Sequence, residues 1–258
     1  MPDKAIAILQ ARMSSSRLPG KVLKEINGKP MIHWQLQRIQ QSQELEGIIV
    51  ATSSDSSDDE LENYIKNLGI SVARGPLNNV YQRFASSILN FSENTIVVRL
   101  TGDCPLVMPK IIDHAIRIFR KSDVDYLSNT IIPTYPDGLD VEVFRSGAFL
   151  NLANIDLTVT EQEHVTLAFH REDLMSKSLN FYSATDYSNL RWTVDYQEDF
   201  DFVARVYQAF TGREHLFEFE DVLQFLTSNP QLDQVLNGRL RNQELKISEE
   251  VDSDDTIF

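Results

Sequence analysis

The first half of the chain alternates between two hydrophobic periods, and this limits the fold more than any other feature. Apolar runs suited to buried strands, AIAIL (5–9), GIIVAT (47–52), ISVAR (70–74) and TIVVRL (95–100), are separated by helical patterns over 30–41, 58–68, 80–90 and 109–121. Proline opens the first and last of these helices, as suits an N1 position whose N–H has no intrahelical partner. Gly69 stands just past the second, where a left-handed C′ residue is expected. Strand–helix–strand units with short links build a mostly parallel sheet flanked by helices. Such sheets take ligands at the carboxyl ends of their strands. The segments that follow residues 9 and 100 are therefore the first places to look for a site.

The second half is mixed. DYLSN (125–129), LDVEVF (139–144), LNFYSA (179–184) and LRWTVD (190–195) read as strands, and helices are expected over 146–154, 161–170, 198–210, 217–227 and 231–241. No repeat or low-complexity linker divides the chain. The economical organisation is one α/β domain over 1–245 with a small embedded subdomain at about 130–190, followed by an acidic tail at 246–258.

Charge narrows the partners. The 258 residues carry a net charge of −14 and no long basic stripe, which argues against nucleic acid, because that binding needs a positive surface to displace counterions. No stretch approaches the ~20 apolar residues of a membrane span, and the first residues carry too short an apolar run for a signal peptide. With a single cysteine, Cys104, no intrachain disulfide is possible. A cytoplasmic protein is expected.

Against that background, one loop stands out as positive. After the first strand run come Gln10, Ala11, Arg12, Ser14, Ser15, Ser16, Arg17, a Pro-Gly turn and Lys21. A P-loop is excluded, since Gly20-Lys21 is followed by valine and Ser15 stands where the first glycine belongs. A dinucleotide fingerprint is excluded as well, since the loop has one glycine rather than three. The composition still suits a polyphosphate. Hydroxyls and backbone N–H groups donate to phosphate oxygens, arginine pairs with them bidentately, and lysine adds a point charge. A surface turn whose basic residues pair with nearby acids would account for the same residues.

Two aspartates stand at expected strand ends, Asp103 in LTGDCPLV and Asp195 in LRWTVD. Facing a phosphate loop, they are what a Mg²⁺–nucleotide site requires, because Mg²⁺ takes one or two carboxylates plus phosphate oxygens and water. Taken singly, Asp195 also reads as a helix N-cap and Asp103 as a turn residue. Cys104 reads as a small residue in a tight turn. His33, His114, His170 and His215 sit in helical patterns without metal-ligand spacing and read as ordinary.

Several long stretches in order, QARMSSSRLPGKVL, NGKPMI, RGPLNNVYQRF, LTGDCPLV, SNTIIPTYPDGLDVEVF, TEQEHVTLAF and LRWTVDYQEDF, closely resemble the acylneuraminate cytidylyltransferase family, in its spore-coat-polysaccharide, SpsF-like branch. The same family holds the CMP-Kdo and CMP-sialic acid synthetases. The resemblance implies a Rossmann-like nucleotidyltransferase fold, often as a homodimer, and transfer of CMP from CTP to a sugar with release of pyrophosphate. It implies that Arg12, Ser15 and Lys21 lie on triphosphate-binding positions, with Arg12 and Lys21 catalytic. Gln10, Ala11, Ser14, Arg17, Arg74 and Asp103 join them around the nucleotide, and Asp103 and Asp195 fall on Mg²⁺-binding positions. One departure is Gln10, where the synthetases usually carry proline.

The acceptor wall is expected in TYPDGLDVEVF, with Tyr135, Asp137, Asp140 and Glu142, completed by His164. Period-2 alternation puts Asp140 and Glu142 on one face and Leu139, Val141 and Val143 on the other. Either the polar face lines the pocket, where its charges repel a sugar carboxylate, or it is the wet side of a strand. A glycosyltransferase of similar architecture is the rival reading, although its usual metal motif is Asp-x-Asp and this chain has Gly-Asp-Cys. A cytidylyltransferase acting on a phosphorylated, non-sugar acceptor is a further alternative.

Overall fold

Each apolar run of the first half becomes a parallel strand, and each helical pattern a helix laid against the sheet. A computed structural model of the chain describes residues 5–175, 177–232 and 241. In order, the elements begin with β1 (Ala5–Gln10), a hairpin of β2 (Glu25–Ile26) and β3 (Lys29–Pro30), α1 (Met31–Ile39), β4 (Gly47–Ser53), α2 (Asp59–Asn67) and β5 (Ser71–Gly75). Then come α3 (Val80–Ile88), β6 (Ile96–Thr101), α4 (Pro109–Lys121), β7 (Tyr126–Ser128), β8 (Glu142–Arg145), α5 (Ser146–Asn151) and α6 (Val159–Glu163). The described part closes with α7 (Glu172–Met175), β9 (Ser178–Asn180), α8 (Gln197–Ala209) and α9 (Phe219–Ser228).

The main sheet has seven strands in the order β5-β4-β1-β6-β8-β7-β9. β4 and β5 lie on one side of β1 and β6 on the other, all parallel, whereas β8 runs antiparallel to both β6 and β7. Chain order reverses at β1, so a crevice opens between the carboxyl ends of β1 and β6, the usual ligand position in such sheets. Alternate residues of each central strand supply two cores. Ala5, Ala7, Leu9, Ile96, Val98 and Leu100 pack under α1, α2, α4, α8 and α9. Ile8 and Val97 face the other way, toward α3, α5 and Phe169. No helix among the described residues is long and apolar enough to cross a membrane.

Several expectations need correction. Pro109 is the first residue of α4, but Pro30 caps α1 from outside rather than opening it. The helix expected over 146–154 tightens into a 3-10 turn after Asn151. The helix expected over 161–170 is broken at Val165, a buried residue with a left-handed φ of 50°. LDVEVF pairs only from Glu142 onward, and LNFYSA contributes only Leu179 and Asn180, to β9. LRWTVD is extended but forms no strand. Its backbone docks on loops, through a single bridge between Asp137 and Arg191 and a hydrogen bond from Val194 N to Asp103 O (2.8 Å). Most of the helix expected over 231–241, and the acidic tail, lie outside the described residues.

Candidate active site

The crevice is a cleft of about 480 Å³. One wall is the loop after β1. The Met13 carbonyl accepts from both Ser15 N and Gly20 N (2.9 Å each), closing the loop into a ring. Gly20, with φ 69°, then turns the chain through the left-handed region open to glycine and starts the 3-10 turn Lys21–Leu23. That turn sends Lys21 inward. Its ammonium donates to Val194 O (2.7 Å) and lies 3.2 Å from Asp195 Oδ1 and 3.5 Å from Asp103 Oδ2. Burial works against the charged lysine, but the two carboxylates outweigh it and hold the pKa above the ordinary lysine value.

Asp103 follows β6, at the edge of the cleft. The side chain of Gln35, from α1, donates to Thr101 O (2.7 Å) and Cys104 O (3.1 Å) and so supports the turn from beneath. Burial pushes the Asp103 carboxyl up, but Lys21 and hydrogen bonds from Thr101 and Cys104 prevail and leave it below the usual carboxylate range. Burial and the Asp103 charge push the Cys104 thiol well up, consistent with a packing role.

Asp195 reaches the same point from a distant segment, and it does not cap a helix. Tyr196 is the N-cap of α8, and the N–H groups of Asp195 and Tyr196 both donate to Asp199 Oδ2 (2.9 Å each). The Asp195 carboxylate is left to meet Arg17 Nη2 (2.9 Å), Lys21 and Arg191. Behind it, Gly138 has φ 106°, and a Cβ there would stand 2.5 Å from Thr193 N and 2.6 Å from Trp192 C. Only glycine allows the two backbones to cross so closely. This crossing sets Asp137 beside Arg191, whose Nη1 donates to Asp137 Oδ2 (2.6 Å).

The far end of the cleft carries three arginine–carboxylate pairs. Glu142 is buried rather than wet, and it accepts from Arg99, from the Tyr126 hydroxyl (2.7 Å) and from the Thr166 hydroxyl. Burial raises its pKa, but Arg99 and the two hydroxyls bring it below the ordinary glutamate value. Asp140 pairs with Arg241, and burial still pushes its carboxyl up to about 7. Asp137 is also raised by burial, against Arg241 and Arg191. The expected repulsion of a sugar carboxylate is therefore largely cancelled, because arginines remote in sequence neutralise the wall.

Of the residues expected around a nucleotide, Gln10, Ala11, Arg12, Ser15, Arg17, Lys21 and Asp103 line the cleft, together with Asp195. Asp137, Asp140, Glu142 and His164 line its far end. Ser14 is exposed outside it. Tyr135 is turned into the core against Phe181, outside the cleft lining. Arg74 lies at the end of β5, away from the cleft, held by Asp59 and Glu62 (2.6 Å each) and the carbonyls of Ser53 and Asp55. Replacing Arg74 with alanine is expected to lower the melting temperature slightly and leave nucleotide affinity unchanged, as parallel thermal unfolding and titration calorimetry would measure. Arg99, Arg191, Thr166 and His170 also line the cleft and escaped the sequence reading. Arg99 had left one signal, a charge inside the apolar run TIVVRL.

Among the described residues, no three or more His, Cys, Asp or Glu side chains gather as ion ligands. The Asp103 and Asp195 carboxylates, which meet at one ammonium, are hard-oxygen groups of the kind that could hold a divalent cation together with phosphates and water.

A parallel sheet with a reversal at β1, a basic loop after it and paired aspartates opposite define an α/β nucleotidyltransferase. Residues 6–237 match the family model described as cytidylyltransferase, and the chain belongs to that family. It is 30% identical over 234 residues to the spore coat polysaccharide biosynthesis protein SpsF of Bacillus subtilis (strain 168), covering 86% of this chain and 94% of that protein. Among solved structures, a cytidylyltransferase from Leptospira borgpetersenii serovar Hardjo-bovis (strain JB197) superposes with a TM-score of 0.83 at 28% identity, covering 93% of this chain and 99% of that one. CMP:2-keto-3-deoxy-manno-octonic acid synthetase, complexed with CTP, shares the fold at a TM-score of 0.63 and 20% identity, over 80% of this chain and 99% of its own. The family membership sets the glycosyltransferase rival aside.

Proposed function

We propose that the protein transfers CMP from CTP to a hydroxyl of a sugar-type precursor of a surface polysaccharide, releasing pyrophosphate. The observation that carries this reading is the convergence of loop and aspartates on one point, with the Lys21 ammonium reaching both Asp103 and Asp195. In such a displacement at phosphorus the protein contributes position and charge stabilisation rather than covalent chemistry. Arg12, Arg17 and Lys21 would receive the triphosphate, with Arg17 and Lys21 exchanging aspartate partners for phosphate oxygens. Asp103 and Asp195 would then hold Mg²⁺, which supplies positive charge to the reacting phosphate oxygens. Asp137, Asp140, Glu142 and His164 would face the acceptor, in a wall that its arginines keep near neutrality. A homodimer belongs to the same reading on the strength of the resemblance, and a cytoplasmic location on the composition.

Gln10 supports a choice of cytosine over uracil. Its Oε1 is buried at the cleft wall without a hydrogen-bond partner among the described residues, a ready acceptor for an exocyclic amine. With Mg²⁺ present, CTP is expected to raise the melting temperature more than UTP, ATP or GTP at equal concentration, since a ligand that binds only the native state stabilises it more the tighter it binds. Equal shifts with all four nucleotides would overturn the cytidylyl reading. Pyrophosphate release from CTP across a panel of acidic, amino and neutral sugars would then identify the acceptor.

A further inference from the structure

Asp58 stands at the N-cap of α2, a place where aspartate ordinarily accepts from the first N–H groups of its own helix. It makes no such bond. Its carboxylate is fully buried and turned the other way. Oδ1 accepts from Met13 N (2.7 Å), inside the basic loop. Oδ2 accepts from Thr52 Oγ1 and Ser53 N (2.9 Å each) and from the Ser53 hydroxyl, all at the carboxyl end of β4. A buried carboxylate is strongly destabilising unless its lone pairs are satisfied, and here four donors satisfy them.

The loop bond falls on the residue that organises the loop. Met13 gives its N–H to Asp58 while its carbonyl closes the ring through Ser15 and Gly20. Arg12 precedes this junction, and Lys21 follows Gly20. The surrounding charges agree. The buried guanidinium of Arg83 is pushed down to about 10 by burial and then by Arg12, and the Asp58 charge opposes both. Asp58 thus offsets the positive charge gathered beneath the loop.

We infer that Asp58 is a positioning residue that clamps the loop after β1 to the end of β4 and so presets Arg12, Arg17 and Lys21 for a polyphosphate. The inference rests on the proposed role of that loop, and the probe is chosen to keep the two separable. Asp58→Asn is the informative change. A carboxylate offers one oxygen to Met13 N–H and the other to Ser53 N–H, whereas an amide has a single oxygen and must turn its NH₂ on one of those donors. Ser53 is held in the sheet, so the loop is the partner that yields.

Inorganic tripolyphosphate, which carries no base, is titrated by calorimetry into the wild type, Asp58→Asn and Thr52→Val. The last removes one Asp58 contact on the strand side without touching the loop. Asp58→Asn is expected to weaken tripolyphosphate about tenfold, the scale on which lost preorganisation acts. Thr52→Val is expected to lower the melting temperature and leave the affinity within about twofold of wild type. Equal affinities in all three proteins, or a loss that tracks melting temperature in both variants, would overturn the inference, as would a wild type that does not bind tripolyphosphate. A wild type that binds it yet shows no preference for CTP sinks the cytidylyl reading alone. Should Asp58→Asn fail to fold, amide exchange in the wild type decides. The Met13 N–H is expected to exchange as slowly as the amides of β4, and exchange at the rate of a free loop amide would count against the clamp.

Discussion

Replacing Lys21 with methionine is expected to lower turnover by about 10²–10³, the scale of one preorganised transition-state contact. Methionine keeps the buried stem and removes the charge, so the packing around the 3-10 turn survives. The lost ammonium is the group that reaches Val194 O, Asp195 and Asp103 together. Asp195 retains Arg17 and Arg191, and Asp103 keeps hydrogen bonds from Thr101 and Cys104, so the fold should persist. If Lys21 were only a strap between the loop and the segment before α8, the damage would fall on melting temperature and leave turnover per folded molecule intact. Pyrophosphate release from CTP with an active acceptor, measured beside thermal unfolding, separates the two outcomes.

Asp103→Asn and Asp195→Asn test the proposed metal site. Each keeps side-chain shape and loses a charge, and an amide is a poorer ligand for a hard cation. The expected result is turnover that needs at least about tenfold more Mg²⁺ or is abolished, as for a lost ligand of a catalytic ion. Helix capping cannot explain a loss at position 195, because Asp199 already receives the N–H groups at the start of α8. Since both changes also remove partners of Lys21, the decisive quantity is the Mg²⁺ concentration at half-maximal rate. Curves superimposable on wild type for both variants would take the metal out of the reading.

The parallel half of the sheet was legible because hydrophobic period is a local property. Ala5, Ala7 and Leu9 alternate with Ile8 in the chain, and they alternate between the two cores in the fold. The basic loop and Asp103 were legible for the same reason, since strand ends mark the ligand edge of such a sheet. What escaped depends on pairing across long separations. Nothing local to Asp140 or Glu142 announces that Arg241 and Arg99 will neutralise them. Asp58 opens the helix expected over 58–68 and shows no further role until Met13 is found at its carboxylate. Arg74 shows the converse. The resemblance placed it at the nucleotide, and two acids of α2 hold it instead, away from the cleft.

The crossing at Gly138 bears on how such a protein can diversify. The proposed nucleotide and acceptor sides of the cleft are riveted backbone to backbone, with no side chain between residue 138 and residues 192–193. Widening the cleft by moving these walls apart would break the rivet and displace Asp195, whose own backbone continues from it. A lineage that takes up a new acceptor must therefore leave this hinge-less joint alone and redecorate the surrounding positions, exchanging side chains such as those at 140, 142 and 164 on a frame whose spacing is inherited intact.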